Sequence, residues 1–108
     1  MLTGLTMRYR LKYLPLALDD LRDITNYITE TLKAPKAAMD LLDTLDESIS
    51  RLEQFPYSCK VFHPIKSTDN EYRLLPVKNY AVFYVVNGEV VEIHRVLYAK
   101  MDITKVIK

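Results

Sequence analysis

Residues 71–103 read EYRLLPVKNYAVFYVVNGEVVEIHRVLYAKMDI, and this stretch decides the fold. Three mainly apolar segments lie within it, at residues 72–77, 80–86 and 90–98. The middle segment carries no charge, and its aromatic and β-branched side chains favour a pleated sheet. Asn87-Gly88 follows that segment, and Asn-Gly between apolar runs signals a hairpin because both turn positions take positive φ. With Lys78-Asn79 as the other turn, the stretch predicts an antiparallel three-stranded meander.

The chain before this meander predicts one strand and a first helix. Residues 8–13, RYRLKY, alternate basic with apolar or aromatic side chains, as an edge or half-buried strand does. Pro15 suits the first turn of a helix, and inward-facing positions then recur at helical spacing. The predicted stripe is Leu18, Leu21, Thr25, Ile28 and Leu32, widened by Ile24 and Tyr27.

A second amphipathic helix of about twenty residues follows Ala34-Pro35. Its predicted apolar positions are Ala38, Leu41, Leu42, Leu45, Ile49, Leu52 and Phe55. Pro56 ends it, and residues 57–70 are predicted to form a surface loop. Two helices joined by a short connection form an antiparallel hairpin, whose apolar stripe must cover the meander. We therefore predict an α+β fold of order β-α-α-β-β-β, with the helical hairpin packed on one face of a four-stranded, mainly antiparallel sheet and the opposite face partly open.

The length of 108 residues predicts a single domain spanning residues 1–108, with residues 1–6 as a possible flexible N-terminal tail. Met7 is an alternative start. No apolar run approaches the roughly 20 residues that cross a bilayer, and MLTGLTM is too short for a secretory signal. Cys59 is the only cysteine, which excludes an internal disulfide and fits the reducing cytoplasm. We expect a cytoplasmic protein without a membrane partner.

Charge is unevenly distributed along a chain whose formal net charge is only +1. Residues 19–53 contain nine acidic and four basic side chains, whereas the rest contains five acidic and eleven basic ones. The strands and tails are therefore basic, and one positive face would attract an acidic partner or nucleic acid. The alternative is two solvated faces of opposite sign.

No pattern in the sequence predicts a metal or cofactor site. Cys59, His63 and His94 are too few and too scattered for metal ligation, and Cys59 with His63 lacks an orienting motif for nucleophilic catalysis. The chain has only two glycines, Gly4 and Gly88, so a glycine-rich phosphate-binding loop is excluded. We expect no cofactor and no metal.

The meander also carries a specific resemblance. A strand led by Arg73, then NYAVFYVV, a turn and VEIHRVLYAKMD resemble the C-terminal half of ParE toxins in the RelE/ParE superfamily, where a Tyr-x-x-Phe-Tyr strand precedes Ile-x-Arg-Val-Leu. The resemblance extends back to about Met7 and implies the same β-α-α-β-β-β fold. It also implies a toxin of a bacterial type II toxin–antitoxin module that inhibits growth by binding DNA gyrase, without catalysis, until an antitoxin neutralises it.

The RelE branch of the superfamily suggests a second hypothesis, a ribosome-dependent mRNA endoribonuclease. That branch commonly carries an arginine where this chain has Ala81, and a missing cation opposite phosphate costs transition-state stabilisation. The candidate catalytic residues would then be Arg73, Lys78, Arg95, Tyr98 and Lys100. Each of them could instead be a structural surface charge or hydroxyl. A third hypothesis is a degenerate member that only binds its antitoxin.

A cognate antitoxin is also favoured by the predicted architecture. A two-helix layer leaves a groove and a meander leaves a sheet edge, and partner peptides dock on both as a helix or as an added strand. An antitoxin with an acidic, partly disordered tail would be attracted by the basic strands. The candidate residues are Arg8, Arg10, Lys12, Arg73 and Arg95, each of which could instead be a solvated charge.

Overall fold

The computed structural model describes residues 8–63 and 70–101. The predictions for residues 1–7, for residues 64–69 of the loop and for residues 102–108 lie outside this range. The elements are β1 (Arg10–Tyr13), α1 (Pro15–Asn26), α2 (Pro35–Ser50), β2 (Arg73–Val77), β3 (Tyr80–Asn87) and β4 (Val90–Tyr98). The predicted β-α-α-β-β-β order of the α+β fold is confirmed.

The four strands form one sheet in the order β1-β4-β3-β2. The three C-terminal strands pair antiparallel as predicted, whereas β1 runs parallel to β4, with Arg10 opposite Val90. The turn after β3 differs from the prediction, because Asn87 still pairs with Val90 and Gly88 is the first residue of the turn. Gly88 alone takes positive φ there (63°), as in a type II′ hairpin.

The first helix buries a different stripe from the predicted one. Ala17 and Ile28 are buried, and Leu21 and Ile24 pack against the core, whereas the predicted positions Leu18, Tyr27 and Leu32 are more than half exposed. At the start of α1 the buried position is Ala17 in place of its neighbour Leu18. At the end of the helix a five-residue π-helical segment, Tyr27–Thr31, changes the backbone period, with Leu32 N donating to Tyr27 O at 3.1 Å. A π turn holds more residues than an α turn, so the faces that follow it are rotated.

The second helix follows the predicted pattern until its last turn. Ala38, Leu45 and Ile49 are buried, and a 3₁₀ turn, Arg51–Glu53, buries Leu52. The prediction for Phe55 is wrong, because its side chain is 61% exposed. The chain tightens to a 3₁₀ turn after Ser50 and leaves the helix, so residue 55 no longer lies on the helical stripe.

The sheet carries apolar side chains on both faces. Facing the helices, Val82, Tyr84, Val91 and Ile93 are fully buried against the hairpin. On the other face Phe83 is fully buried, and Phe62 packs on it with ring centroids 5.2 Å apart. This second cluster also contains Tyr72, Ala81, Val85 and Leu97, so the face predicted to be partly open is closed at its centre.

Candidate functional site

A largely apolar groove of about 820 Å³ lies where the bend of the helical hairpin meets one end of the sheet. That end contains the start of β3, the end of β4 and the turn between β2 and β3. Four large apolar side chains around the groove are strongly exposed: Tyr27 (54%), Leu32 (55%), Tyr98 (43%) and Met101 (43%). An exposed apolar concavity of this kind marks a binding site in most soluble proteins.

The π-helical segment accounts for the helical wall of the groove. Tyr27 opens the segment, and Leu32, hydrogen-bonded to it across the wide turn, follows it. Lys33 then takes a left-handed φ of 54°, which ends the helix and turns the chain toward Pro35. The local backbone therefore holds two apolar side chains at the groove instead of in the core, and π-helical turns are frequent at functional sites.

Two tyrosines form the wall that the sheet contributes. Tyr80 and Tyr98 face each other across β3 and β4, with ring centroids 5.8 Å apart at an interplanar angle of 67°. Burial raises the pKa of Tyr80, and the neighbouring phenols of Tyr98 and Tyr27 raise it further. The Tyr80 hydroxyl therefore stays protonated at neutral pH, and the wall offers neutral aromatic surface with polar tips.

An ion pair fixes α1 to β4 beside the groove. Arg95 Nε and Nη2 donate to the Asp20 carboxylate at 2.8 and 2.9 Å, and the Val96 backbone N–H donates to the same carboxylate at 2.9 Å. The two side chains are only 20% and 12% exposed. Hydrogen bonding to Asp20 raises the pKa of Arg95, although burial opposes it. Arg95 thus braces the wall of the groove and is not a free surface cation.

The five proposed catalytic side chains do not converge on one point. Lys78 and Tyr98 line the groove, and Lys100 lies in the turn that follows β4. Arg95 is bound by Asp20. Arg73 lies toward the other end of β2, about 13 Å of strand away from that end of the sheet.

Arg73 has structural partners of its own. Its Nη1 donates to the Cys59 carbonyl oxygen at 2.7 Å, and its Nη2 lies 3.4 Å from a Glu71 carboxylate oxygen. The guanidinium also lies over the Tyr57 ring, 4.9 Å from the centroid. These contacts hold the loop that precedes β2 against the sheet, and they leave the Arg73 side chain only 17% exposed.

The residues predicted to attract an antitoxin divide between different surfaces. Arg10 and Lys12 are exposed in β1 and Arg8 is exposed just before it, and we call these three residues the β1 basic edge. Arg8 has one ion pair, to Glu53 at 3.2 Å and largely in solvent. Arg73 is in β2, at the opposite edge of the sheet, and Arg95 lies beneath α1. Only the β1 basic edge therefore forms a continuous cationic surface from these candidates.

The other titratable groups singled out in the sequence do not form a site of their own. His94 Nε2 lies 3.3 Å from a Glu92 carboxylate oxygen and its Nδ1 3.4 Å from the Tyr72 hydroxyl. Cys59 packs partly buried against the core. Across residues 8–63 and 70–101, no group of three or more His, Cys, Asp or Glu side chains is placed to hold a metal ion. In the same range, no helix is long and apolar enough to cross a bilayer.

Sequence reasoning missed most of the groove. Tyr27 and Leu32 were assigned to the core, and Tyr80 and Met101 were given no functional role. One feature of the sequence pointed to these residues. Leu32 lies five positions after Tyr27, and two apolar side chains at that spacing fit a π turn better than an α-helix.

Comparison with known proteins identifies the family. The family model of the ParE toxin of the type II toxin–antitoxin system, parDE, matches residues 11–103. Among solved structures, the chromosomal ParDE system from P. aeruginosa is similar at a TM-score of 0.71 and 20% identity, covering 87% of this chain and 99% of that chain. An archaeal RelE–RelB complex from Pyrococcus horikoshii OT3 is similar at 0.52 and 22%, covering 87% and 98%.

These two structures share the fold of the chain, with helices packed on a four-stranded sheet. No curated protein matches the sequence. The family model covers most of the chain, including most of β1, both helices and the meander that carries the resemblance. The protein belongs to the ParE toxin family of type II toxin–antitoxin systems.

Proposed function

We propose that this protein inhibits growth by binding DNA gyrase, and that a cognate antitoxin neutralises it by docking in the apolar groove. The groove is the observation that carries the antitoxin part of the proposal. Its Tyr27, Leu32, Tyr98 and Met101 are about half exposed, so burial by a partner would give each about half of the 1.5–3 kcal/mol expected for a fully exposed apolar side chain, before the ordering costs of association.

A helix is the form of partner segment that best suits this groove. Its floor and walls are formed by side chains from α1, α2, β3 and β4, so the backbone groups around it are mostly paired within these elements. A segment bound there must satisfy its own backbone hydrogen bonds, which a helix does, and must present an apolar stripe. The docking mode is therefore a helix in a groove.

The β1 basic edge supports a second contact with the same antitoxin. β1 lies at the edge of the sheet, so its outer backbone groups face no other strand among the described residues. An extended acidic tail would gain electrostatic attraction from Arg8, Arg10 and Lys12 and backbone hydrogen bonds from β1. This contact would mainly accelerate capture of the antitoxin.

Two observations support gyrase as the target: the chain belongs to the ParE toxin family, and the candidate catalytic residues of a ribonuclease do not lie together. Ala81, which stands where the RelE branch commonly has an arginine, is buried in the cluster on the helix-free face of the sheet. Arg73 and Arg95 are engaged in structural contacts. No described cation therefore stands ready at that position, and a protein that binds its target needs none.

The proposal is tested by inducing this chain in bacterial cells, with and without the protein encoded beside it, and scoring growth, the DNA damage response and mRNA integrity together. We expect arrested growth with a DNA damage response and intact mRNA, all relieved by the partner. Cleaved mRNA without DNA damage would instead support the ribonuclease hypothesis. Unchanged growth with the partner still bound would identify a degenerate, non-toxic member.

A further inference from the structure

Two charged side chains at the groove have no ion-pair partner among the described residues. Asp23 lies on α1 and Lys78 lies in the turn between β2 and β3, and both are exposed and line the groove. They contrast with Asp20, one helical turn before Asp23, whose carboxylate accepts three hydrogen bonds from Arg95 and Val96. Among the described residues that line it, the groove is therefore largely apolar but carries one unpaired anion and one unpaired cation.

These two charges lie on different sides of the groove. Asp23 belongs to α1, which is fixed to β4 through the contact of Asp20 with Arg95. Lys78 follows β2, which is separated from β4 by β3. Because Lys78 lies in the turn that joins β2 to β3, it is one to two strand spacings, about 5–10 Å, from β4, a width comparable with that of an α-helix and its side chains. A helix lying in the groove would thus have one charge on each flank.

Docking of a partner would remove both side chains from water. A charge that loses its hydration without gaining an opposite charge opposes binding, and an unlike neighbour offsets that loss. A uniformly acidic segment would pair with Lys78 but would be repelled by Asp23. A uniformly basic segment would meet the reverse problem.

We propose that the antitoxin segment in the groove is an amphipathic helix that presents a basic side chain to Asp23 and a carboxylate to Lys78 on either side of its apolar stripe. This inference rests on the proposed docking of the antitoxin. It also divides the antitoxin into two parts: a mixed-charge helix that occupies the groove, and an acidic tail that follows the β1 basic edge.

The test uses the full-length chain and the purified protein encoded beside it, with affinity measured by calorimetry at low and high salt. The variants are Asp23→Lys, Lys78→Glu and the double reversal. We expect each single reversal to weaken binding at least about ten-fold at low salt, because like charges then face each other across the interface. The double reversal should bind more weakly than either single variant, although its net charge equals that of the unchanged chain.

Matched controls reverse exposed charges that do not line the groove, Asp43→Lys on α2 and Lys60→Glu in the loop before β2. They change the net charge by the same amounts and should alter the affinity less than about three-fold. Circular dichroism and thermal melts check that each variant is folded.

A double reversal that binds like the unchanged chain would overturn the inference, because only net charge would then matter. Single reversals that bind like their controls would overturn it as well. The variant Tyr27→Ala with Leu32→Ala separates this failure from failure of the docking proposal. If that variant loses affinity while the charge reversals do not, the groove still binds the antitoxin and only the charge pairing is wrong. If it too binds normally, the antitoxin docks elsewhere and both proposals fail.

Discussion

Replacing Asp20 by alanine should destabilise the fold strongly for a change at a charged side chain. The Asp20 carboxylate accepts hydrogen bonds at 2.8, 2.9 and 2.9 Å from Arg95 Nε, Arg95 Nη2 and Val96 N. Without this carboxylate, the Arg95 guanidinium, which is only 20% exposed, has no opposite charge, and the Val96 backbone N–H has no acceptor. Breaking a buried pair costs about 3–5 kcal/mol, and the residual exposure argues for about 3 kcal/mol.

That magnitude is large against a total stability of about 5–15 kcal/mol for a domain of this size. Urea unfolding monitored by circular dichroism measures it, with the midpoint lowered and the slope unchanged. The neighbouring change Asp19→Ala is a matched control, since Asp19 pairs with Arg22 at 2.8 Å in a half-exposed i,i+3 bridge. It should cost less than about 0.5 kcal/mol.

The double variant Asp20→Ala with Arg95→Met completes the cycle. Methionine removes the unpaired charge and keeps most of the packing volume, so the double variant should recover at least about 1 kcal/mol relative to Asp20→Ala alone. If Asp20→Ala costs no more than Asp19→Ala, the ion pair does not fix α1 to β4, and the rigid wall attributed to it in the groove is wrong.

Three further predictions concern the β1 basic edge, alkaline pH and the core. Reversing all three charges of the β1 basic edge to glutamate should slow association with the antitoxin, mainly at low salt, as measured by stopped-flow mixing. Burial, reinforced by the nearby Cys59 side chain, raises the pKa of Tyr84 above the ordinary value of 10.0. The folded state then holds this proton more tightly than the unfolded chain, so stability is full below about pH 10 and falls as pH rises further, and Tyr84→Phe should reduce that fall. Leu45→Ala, at a side chain only 2% exposed, should cost about 2–5 kcal/mol in urea unfolding.

Each of these has a distinct contrary result. An association rate that is unchanged, with the same salt dependence, would remove the β1 basic edge from the encounter. Tyr84→Phe removes the hydrogen bond to Pro56 O (2.8 Å), so its free energy of unfolding should fall by about 1 kcal/mol at neutral pH. If its stability then declines with rising pH as steeply as that of the unchanged chain, Tyr84 is not the cause of the decline. For the core, the control is Leu42→Ala on the same helix, where the side chain is only half-buried and the loss of stability should be smaller. Equal losses of stability at both sites would mean that Leu45 is not at the centre of the interface between the helices and the sheet.

The parts of the fold that follow one simple period could be predicted from the sequence. β3 is apolar up to its last residue because its centre is buried on both faces, with residues 81–85 all buried. The second helix keeps a 3.6-residue period over Ala38, Leu45 and Ile49. In both elements the side-chain pattern and the backbone period agree, so the pattern alone identifies the element.

Where the backbone changes its period, the sequence pattern misleads. The π-helical segment moves Tyr27 and Leu32 to the surface, and the 3₁₀ turn does the same to Phe55. The hairpin signal Asn87-Gly88 gave the right connection, but the turn is shifted by one residue because β3 pairs through Asn87. Such one-residue choices depend on tertiary contacts that local composition does not encode.

The candidate site was harder to predict because it depends on pairing between distant residues. Arg95 and Arg10 are both arginines within strands of mixed apolar and charged residues, so the sequence does not distinguish them. In the structure Asp20, which is 75 residues away in the chain, binds Arg95. Asp20 itself resembles Asp19 and Asp23, which are exposed or half-exposed. Which of several like charges is satisfied within the fold, and which is left for a partner, is decided only when α1 meets β4.

The parallel pairing of the first strand with the last has a consequence for synthesis of the protein. Arg10 at the start of β1 lies opposite Val90, and the contact that holds α1 needs Arg95. Neither contact can form until β4 has been translated, about 4–16 s after β1 at about 5–20 residues per second. A nascent chain therefore lacks the β1–β4 pairing and the contact that holds α1 until β4 has been made. The groove is lined in part by residues of β4, so it is complete only after that interval, and an antitoxin that docks there as proposed can bind only a chain that already contains β4.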